Sequence, residues 1–87
     1  LYLLAEPENS LSPERQLELM HFLEDSARFY GCQFIIATHS PFLLAMRGAR
    51  IYDLDADPVV RRKWTELPAV RTYFDFFASH ADDFRGE

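Results

Sequence analysis

The chain opens on an apolar run, Leu1-Tyr2-Leu3-Leu4, that passes through Ala5 into Glu6, Pro7, Glu8 and Asn9. A short unbroken apolar run bounded by turn formers predicts a fully buried strand. Pro7 has no N–H to give a sheet ladder and ends it. Ser12-Pro13-Glu14 then carries the marks of a helix start: a capping hydroxyl, a proline at the first position, and a carboxylate at the positive end of the dipole. Residues 13–30 predict that helix, with Leu17, Met20, Leu23, Ala27 and Tyr30 as its apolar stripe and Leu19, Phe22 and Phe29 widening it. Gly31 stands where a left-handed terminator belongs. Residues 33–38 (QFIIAT) predict a second buried strand, centred on Phe34, Ile35 and Ile36. Ser40-Pro41 repeats the cap-and-proline pattern and predicts a short helix over 41–46, ended by Gly48. Residues 50–54 (RIYDL) alternate as a third strand does. Beyond Pro58 the pattern weakens, but 68–79 predict a helix with Val70, Tyr73, Phe74 and Phe77 on one face. The stretch 81–87, polar apart from Phe84, reads as a frayed tail.

This order predicts an α/β unit: strands 1–6, 33–38 and 50–54 running parallel, with helices 13–30, 41–46 and about 68–79. With 87 residues there is material for one small domain, burying roughly 60–65% of its unfolded surface. Because Leu1 already belongs to a strand, the chain reads as a piece of a longer polypeptide. A formal net charge of −5 argues against a nucleic-acid footprint on this segment. The one basic cluster, Arg61-Arg62-Lys63, reads as a solvated turn or helix start. The single cysteine, Cys32, excludes an intrachain disulfide, suits a reducing compartment and reads as a small core residue. No apolar stretch approaches the ~20 residues a bilayer span needs, and no signal peptide is seen, so no membrane role is expected. Asp53, Asp55 and Asp57 have calcium-loop spacing, yet Pro58 stands where that loop needs glycine and Trp64 where it needs glutamate. A solvated acidic turn is the better reading.

Two strand ends carry chemistry: Glu6 after the first and His39 after the second. In neighbouring parallel strands, about 4.8 Å apart, both would line one cleft at the carboxyl edge, where open α/β sheets place ligands. A glutamate there suits a general base acting on water, and a histidine suits donation to a developing phosphate charge, with space for a water or phosphate between them. The bland alternative is a satisfied buried glutamate and a histidine that caps a helix. Glu6, Glu8 and His39 also allow a metal-dependent hydrolase, but no H-x-x-x-H or H-E-x-x-H spacing supports one. His21 reads as a surface residue and His80 as solvated. Trp64 and Phe74, Phe76 and Phe77 read as core or interface.

The strings themselves resemble a known family. LYLLAEPENSLSP resembles the Walker B strand and D-loop of ATP-binding-cassette-type ATPases, and FIIATHSP resembles their switch strand. The ending Glu-Pro-Glu-Asn-Ser-Leu-Ser-Pro, followed by Thr-His-Ser-Pro, is closer to bacterial ATPases related to chromosome-maintenance, recombination-repair and anti-phage ATPases than to membrane transporters. WTELPAVRTYFDFF resembles their carboxyl-terminal helix. The resemblance implies a partial P-loop NTPase fold, with residues 1–87 as the carboxyl-terminal portion of a single ATPase domain. It implies Glu6 as the catalytic glutamate that polarises the attacking water, and His39 as the switch histidine on the terminal phosphate. Asn9 to Ser12, with Asn9, Ser10 and Ser12 as the polar members, correspond to the D-loop facing a partner subunit in a nucleotide-sandwich homodimer. Ser12 stands where transporter-type members often carry aspartate. ATP and magnesium are the ligands implied for the complete parent, the remainder of the domain and DNA or an effector its partners, and the cytoplasm its location.

Two departures limit what this segment does alone. The family has an aspartate at the place of Ala5, holding magnesium through water, and a methyl group cannot do this. A degenerate copy, a deliberate change and an altered start all account for it. The phosphate-gripping G-x-x-x-x-G-K-[ST] loop is absent, since the only glycines are Gly31, Gly48 and Gly86, and the family's signature motif is absent too. The segment alone is therefore not expected to hydrolyse ATP. The competing reading is a non-catalytic interaction or oligomerisation module derived from such an ATPase.

Overall fold

The computed structural model describes residues 1–86, and Glu87 lies outside the described residues. The chain divides into two units, one of Leu1–Ala49 and one from Arg50 onward. In the first, strand β1 (Tyr2–Ala5) leads through helix α1 (Pro13–Tyr30) to strand β2 (Phe34–Ala37) and helix α2 (Pro41–Leu44). β1 and β2 pair in parallel, with Tyr2 opposite Phe34, Leu3 opposite Ile35, Leu4 opposite Ile36 and Ala5 opposite Ala37. Parallel neighbours require a crossover, and α1 supplies it.

The punctuation of α1 follows its sequence. The Ser12 hydroxyl accepts the Arg15 N–H at 3.2 Å, Pro13 takes the first position, and Gly31 closes the helix in the left-handed conformation (φ 66°). Ser40 likewise caps α2, accepting from the Leu43 N–H at 3.4 Å. α2 is shorter than the 41–46 expected. After Leu44 the chain tightens, with Met46 N–H donating to Leu43 at 3.2 Å and Ala49 N–H to Met46 at 3.3 Å, and Gly48 turns at φ 77°.

The core of this unit is Leu23 of α1 with Leu43 of α2, beside the buried Ser40 hydroxyl. Gln16, Leu19 and Met20 are half-buried on the same helical face, whereas Leu17, Ala27 and Tyr30 are exposed. The covered stripe is thus rotated from the one expected, because the one-turn α2 meets only part of α1. The strands are also not buried on both faces. Leu4, Phe34 and Ile36 are half-buried on one side, and Tyr2 stacks on Phe34 with centroids 5.4 Å apart. On the other, Leu3 and Ile35 are 72% and 60% exposed. A sheet two strands wide leaves that face open among the described residues. Cys32 is half-buried rather than core.

The second unit corrects the expected third parallel strand. β3 (Ile51–Asp53) pairs antiparallel with β4 (Val60–Arg62), in a separate two-stranded sheet. Asp53 explains the hairpin. One carboxylate oxygen accepts the Asp55 N–H at 3.0 Å and turns the chain; the other accepts from Arg62 Nε at 2.9 Å across the strands. Arg61 and Arg62 are therefore strand residues, and not a solvated turn or helix start. A 3-10 turn (Trp64–Glu66) precedes helix α3 (Pro68–Ser79), which has the bounds expected. Ala81–Phe84 forms a further short helix, α4, where a frayed tail was expected. Val70 is buried, but Tyr73, Phe74, Phe76 and Phe77 are each more than half exposed and Trp64 is partly exposed. These aromatics are not core in this unit. Of these, Phe76 meets Phe77 edge-on with centroids at 5.4 Å and stacks on His80 at 4.4 Å.

This core makes an uneven stability prediction. Leu43→Ala should cost about 2–5 kcal/mol in chemical denaturation, because it deletes a fully buried side chain. Leu3→Ala, on the open face, should stay within about 0.5 kcal/mol.

Candidate active site at the strand ends

The carboxyl ends of β1 and β2 are held level by a last ladder bond, from Glu6 N–H to the Ala37 carbonyl at 2.7 Å. Directly after it Glu6 adopts a positive φ of 46°, so the strand stops at Ala5 and the chain turns at Glu6, ahead of Pro7. A glutamate in this region carries strain of order 1–3 kcal/mol. Two consecutive turns follow. Asn9 N–H returns to the Glu6 carbonyl at 3.1 Å, and Leu11 N–H to the Glu8 carbonyl at 2.9 Å. Ser10 has a φ of 68°, at the third position of the second turn, where type II geometry calls for a positive value.

Glu6 and His39 come together as the parallel pairing implies. Glu6 Oε1 lies 3.8 Å from His39 Nε2. The gap is narrower than expected: no water fits between these atoms, so a shared water must sit to one side, about 2.8 Å from each. Both groups are open to solvent, the Glu6 side chain 48% exposed and that of His39 86%. Asn9 reaches Glu6 Oε2 at 3.4 Å. Ser10 is exposed, and the Ser12 hydroxyl is engaged in capping α1. His21 lies outside this corner, 3.7 Å from Glu24.

Two residues that sequence reasoning gave no structural part hold the corner together. Glu8 Oε1 accepts the Thr38 hydroxyl at 2.7 Å and its Oε2 accepts the His39 N–H at 3.1 Å. The Thr38 hydroxyl in turn accepts the Ser40 N–H at 3.0 Å. Gln16 makes a second tie: its Oε1 accepts the Ser40 hydroxyl at 2.6 Å, and its Nε2 donates to the Leu11 carbonyl at 3.1 Å. The loop after β1 is therefore fastened to the loop after β2 at both its ends. A signal existed in the sequence: Thr38-His39-Ser40 presents several donors at a strand end, and Glu8 is a carboxylate in the neighbouring loop. Burial raises the Glu8 pKa, but the Thr38 hydroxyl bond, backbone N–H bonds including that of His39, and the nearby His39 together hold it below the ordinary value of 4.5.

The corner does not make a magnesium centre by itself. Ala5 offers only a methyl group, both Glu8 oxygens are occupied, and no cluster of three or more His, Cys, Asp or Glu among the described residues is arranged to hold a metal. The Glu6–Glu8–His39 metal hydrolase gains no support from this arrangement.

A strand–helix–strand unit with parallel neighbours and polar groups at their carboxyl ends is compatible with part of a P-loop NTPase fold. The family described as "AAA domain, putative AbiEii toxin, Type IV TA system" matches residues 1–45, which hold the whole of this corner. The chain belongs to that AAA-domain family, which supports a general ATPase-like, nucleotide-binding character. No curated protein and no solved structure matches the chain. Among the described residues no helix is long and apolar enough to cross a membrane.

The lowered Glu8 pKa sets a pH dependence. A carboxylate bound more tightly in the folded state contributes stability that is present above its unfolded value and lost as pH falls through the folded one. Thermal stability should therefore drop as pH falls below about 4.5. In Glu8→Gln the melting temperature at neutral pH should be lower and the acid decline shallower. Equal slopes in the two proteins would contradict the assignment.

Proposed function

We propose that this chain supplies the hydrolytic corner of an ATP-binding-cassette-type ATPase, with the phosphate-gripping loop and signature motif provided by the remainder of the domain. β1 is the Walker B strand, Asn9 to Ser12 the D-loop, and His39 the switch histidine. Glu6 accepts a proton from a water beside it as that water attacks the terminal phosphoryl group, and His39 donates to an oxygen on which negative charge grows. The observation that carries this reading is the 3.8 Å approach of Glu6 and His39 at neighbouring parallel strand ends, inside the segment matched by the AAA-domain family. The backbone outlier at Glu6 adds to it, since such strain concentrates at functional sites. The open Leu3–Ile35 face suits a covering layer supplied by the rest of the domain, because parallel sheets are normally covered on both faces. The assembled enzyme is a cytoplasmic homodimer with nucleotide between subunits, Asn9 and Ser10 turned to the partner, and DNA or a protein effector as its target.

Ala5 favours a second reading, in which the site has lost hydrolysis and the domain serves assembly. Magnesium chemistry separates the two. In an assembly that supplies the phosphate loop, Glu6→Gln should lower ATP turnover about 10²–10⁴-fold. Ala5→Asp should raise magnesium affinity about 10–100-fold, the range typical of outer-shell ligands. Absence of turnover before substitution, with none gained in Ala5→Asp, favours the assembly module, which light scattering should then find as an oligomer.

A further inference from the structure

Four observations converge on Glu8. Among the described residues it is the only side chain that bonds the loop after β2 from the loop after β1 on the side of His39, through Thr38 Oγ1 at 2.7 Å and His39 N–H at 3.1 Å. It lies between two residues of positive φ, Glu6 and Ser10, in a segment whose conformation needs outside support. Its partner Thr38 is committed in both directions, donating to Glu8 and accepting from Ser40. Finally, the His39 side chain is 86% exposed. Its ring is therefore steadied mainly through its own backbone, which Glu8 holds.

We propose that Glu8 is the positioning residue of this corner, its carboxylate bridging Thr38 and His39 so that the imidazole is held against Glu6. This proposal rests on reading Glu6 and His39 as the hydrolytic pair, and adds a residue that touches neither water nor nucleotide. The bridge requires two acceptor oxygens facing two donors, which only an ionised carboxylate provides. A glutamine keeps one acceptor and turns an NH2 toward the other donor. The Gln16 tie between Ser40 and Leu11 fastens the far end of the same loop, so loss of the Glu8 bridge releases the His39 end while α2 stays docked.

The test is NMR on the whole 87-residue chain, without nucleotide. In Glu8→Gln, exchange of the His39 amide proton should rise about tenfold or more, as expected for losing a charge-assisted hydrogen bond. The nuclear Overhauser contact between the His39 ring and the Glu6 methylenes should weaken or vanish, while the packing of α2 on α1 persists. Thr38→Val should loosen the same contact without changing charge, and Thr38→Ser should retain it. An undiminished Glu6–His39 contact in both Glu8→Gln and Thr38→Val overturns the proposal. Should Glu8→Gln lose the packing of α2 on α1, the Thr38 pair decides alone, and equal behaviour of Val and Ser overturns it. In an assembly that turns over ATP, Glu8→Gln should lower kcat with KM nearly unchanged; an effect on KM alone contradicts a positioning role. The NMR result stands apart from turnover. If the contact depends on Glu8 but Glu6→Gln leaves turnover intact, the hydrolytic reading fails and the bridge remains.

Discussion

Glu6 donates its N–H to Ala37 at 2.7 Å, and this last rung of the β1–β2 ladder sets where everything else in the corner can be. It fixes the two strand ends at the same height. It makes Glu6 the first residue out of the sheet on one side; on the other, Thr38 and His39 stand one and two positions beyond Ala37, the partner of Ala5. The chain can then bring a carboxylate and an imidazole within 3.8 Å although they are far apart in sequence. A register shift of one residue would turn alternate side chains to the opposite face and separate them.

Level strand ends are necessary but leave two loops to be held. The β1–α1 loop bends through two residues of positive φ, a conformation that other interactions must stabilise. The stabilising groups are side chains, Glu8 at one end and Gln16 at the other, and both reach across to the β2–α2 loop. Ser40 joins the two systems: its N–H meets Thr38, its hydroxyl meets Gln16, and it is the one buried polar residue among the described residues. The apolar core beneath is small, with Leu23 of α1 and Leu43 of α2 as its buried residues. Order at the site therefore depends on hydrogen bonds as much as on packing. For a small unit this is a delicate arrangement, since each such bond contributes only about 0.5–1.5 kcal/mol, or about 1.5–3 where a charge takes part.

The helix limits of α1 and α3 were legible because caps, prolines and Gly31 are local signals read within a few residues. The parallel pairing of the first two strands and the convergence of Glu6 and His39 were legible from the strand–helix–strand order. What was not legible depended on partners distant in sequence. RIYDL alternates as any strand does, and nothing in it distinguished a third parallel strand from a hairpin closed by Asp53 and Arg62. The apolar content of LYLL and FII suggested burial on both faces, but a two-stranded sheet leaves Leu3 and Ile35 open. The stripe on α1 was displaced because its covered face is chosen by α2. Glu8 was read only as a metal-ligand candidate, because its two acceptors gain their bridging role only when Thr38 and His39 are beside it.

The central claim is that Glu6 works as a base on water in a completed nucleotide site. The most direct measurement is chemical rescue in an assembly that supplies the phosphate loop. Glu6→Ala removes the carboxylate and leaves room for a small one. ATP turnover by this variant should be nearly abolished, and should return in proportion to added formate but not to added chloride. Turnover that persists without Glu6, or that formate fails to restore while nucleotide still binds, would contradict the claim.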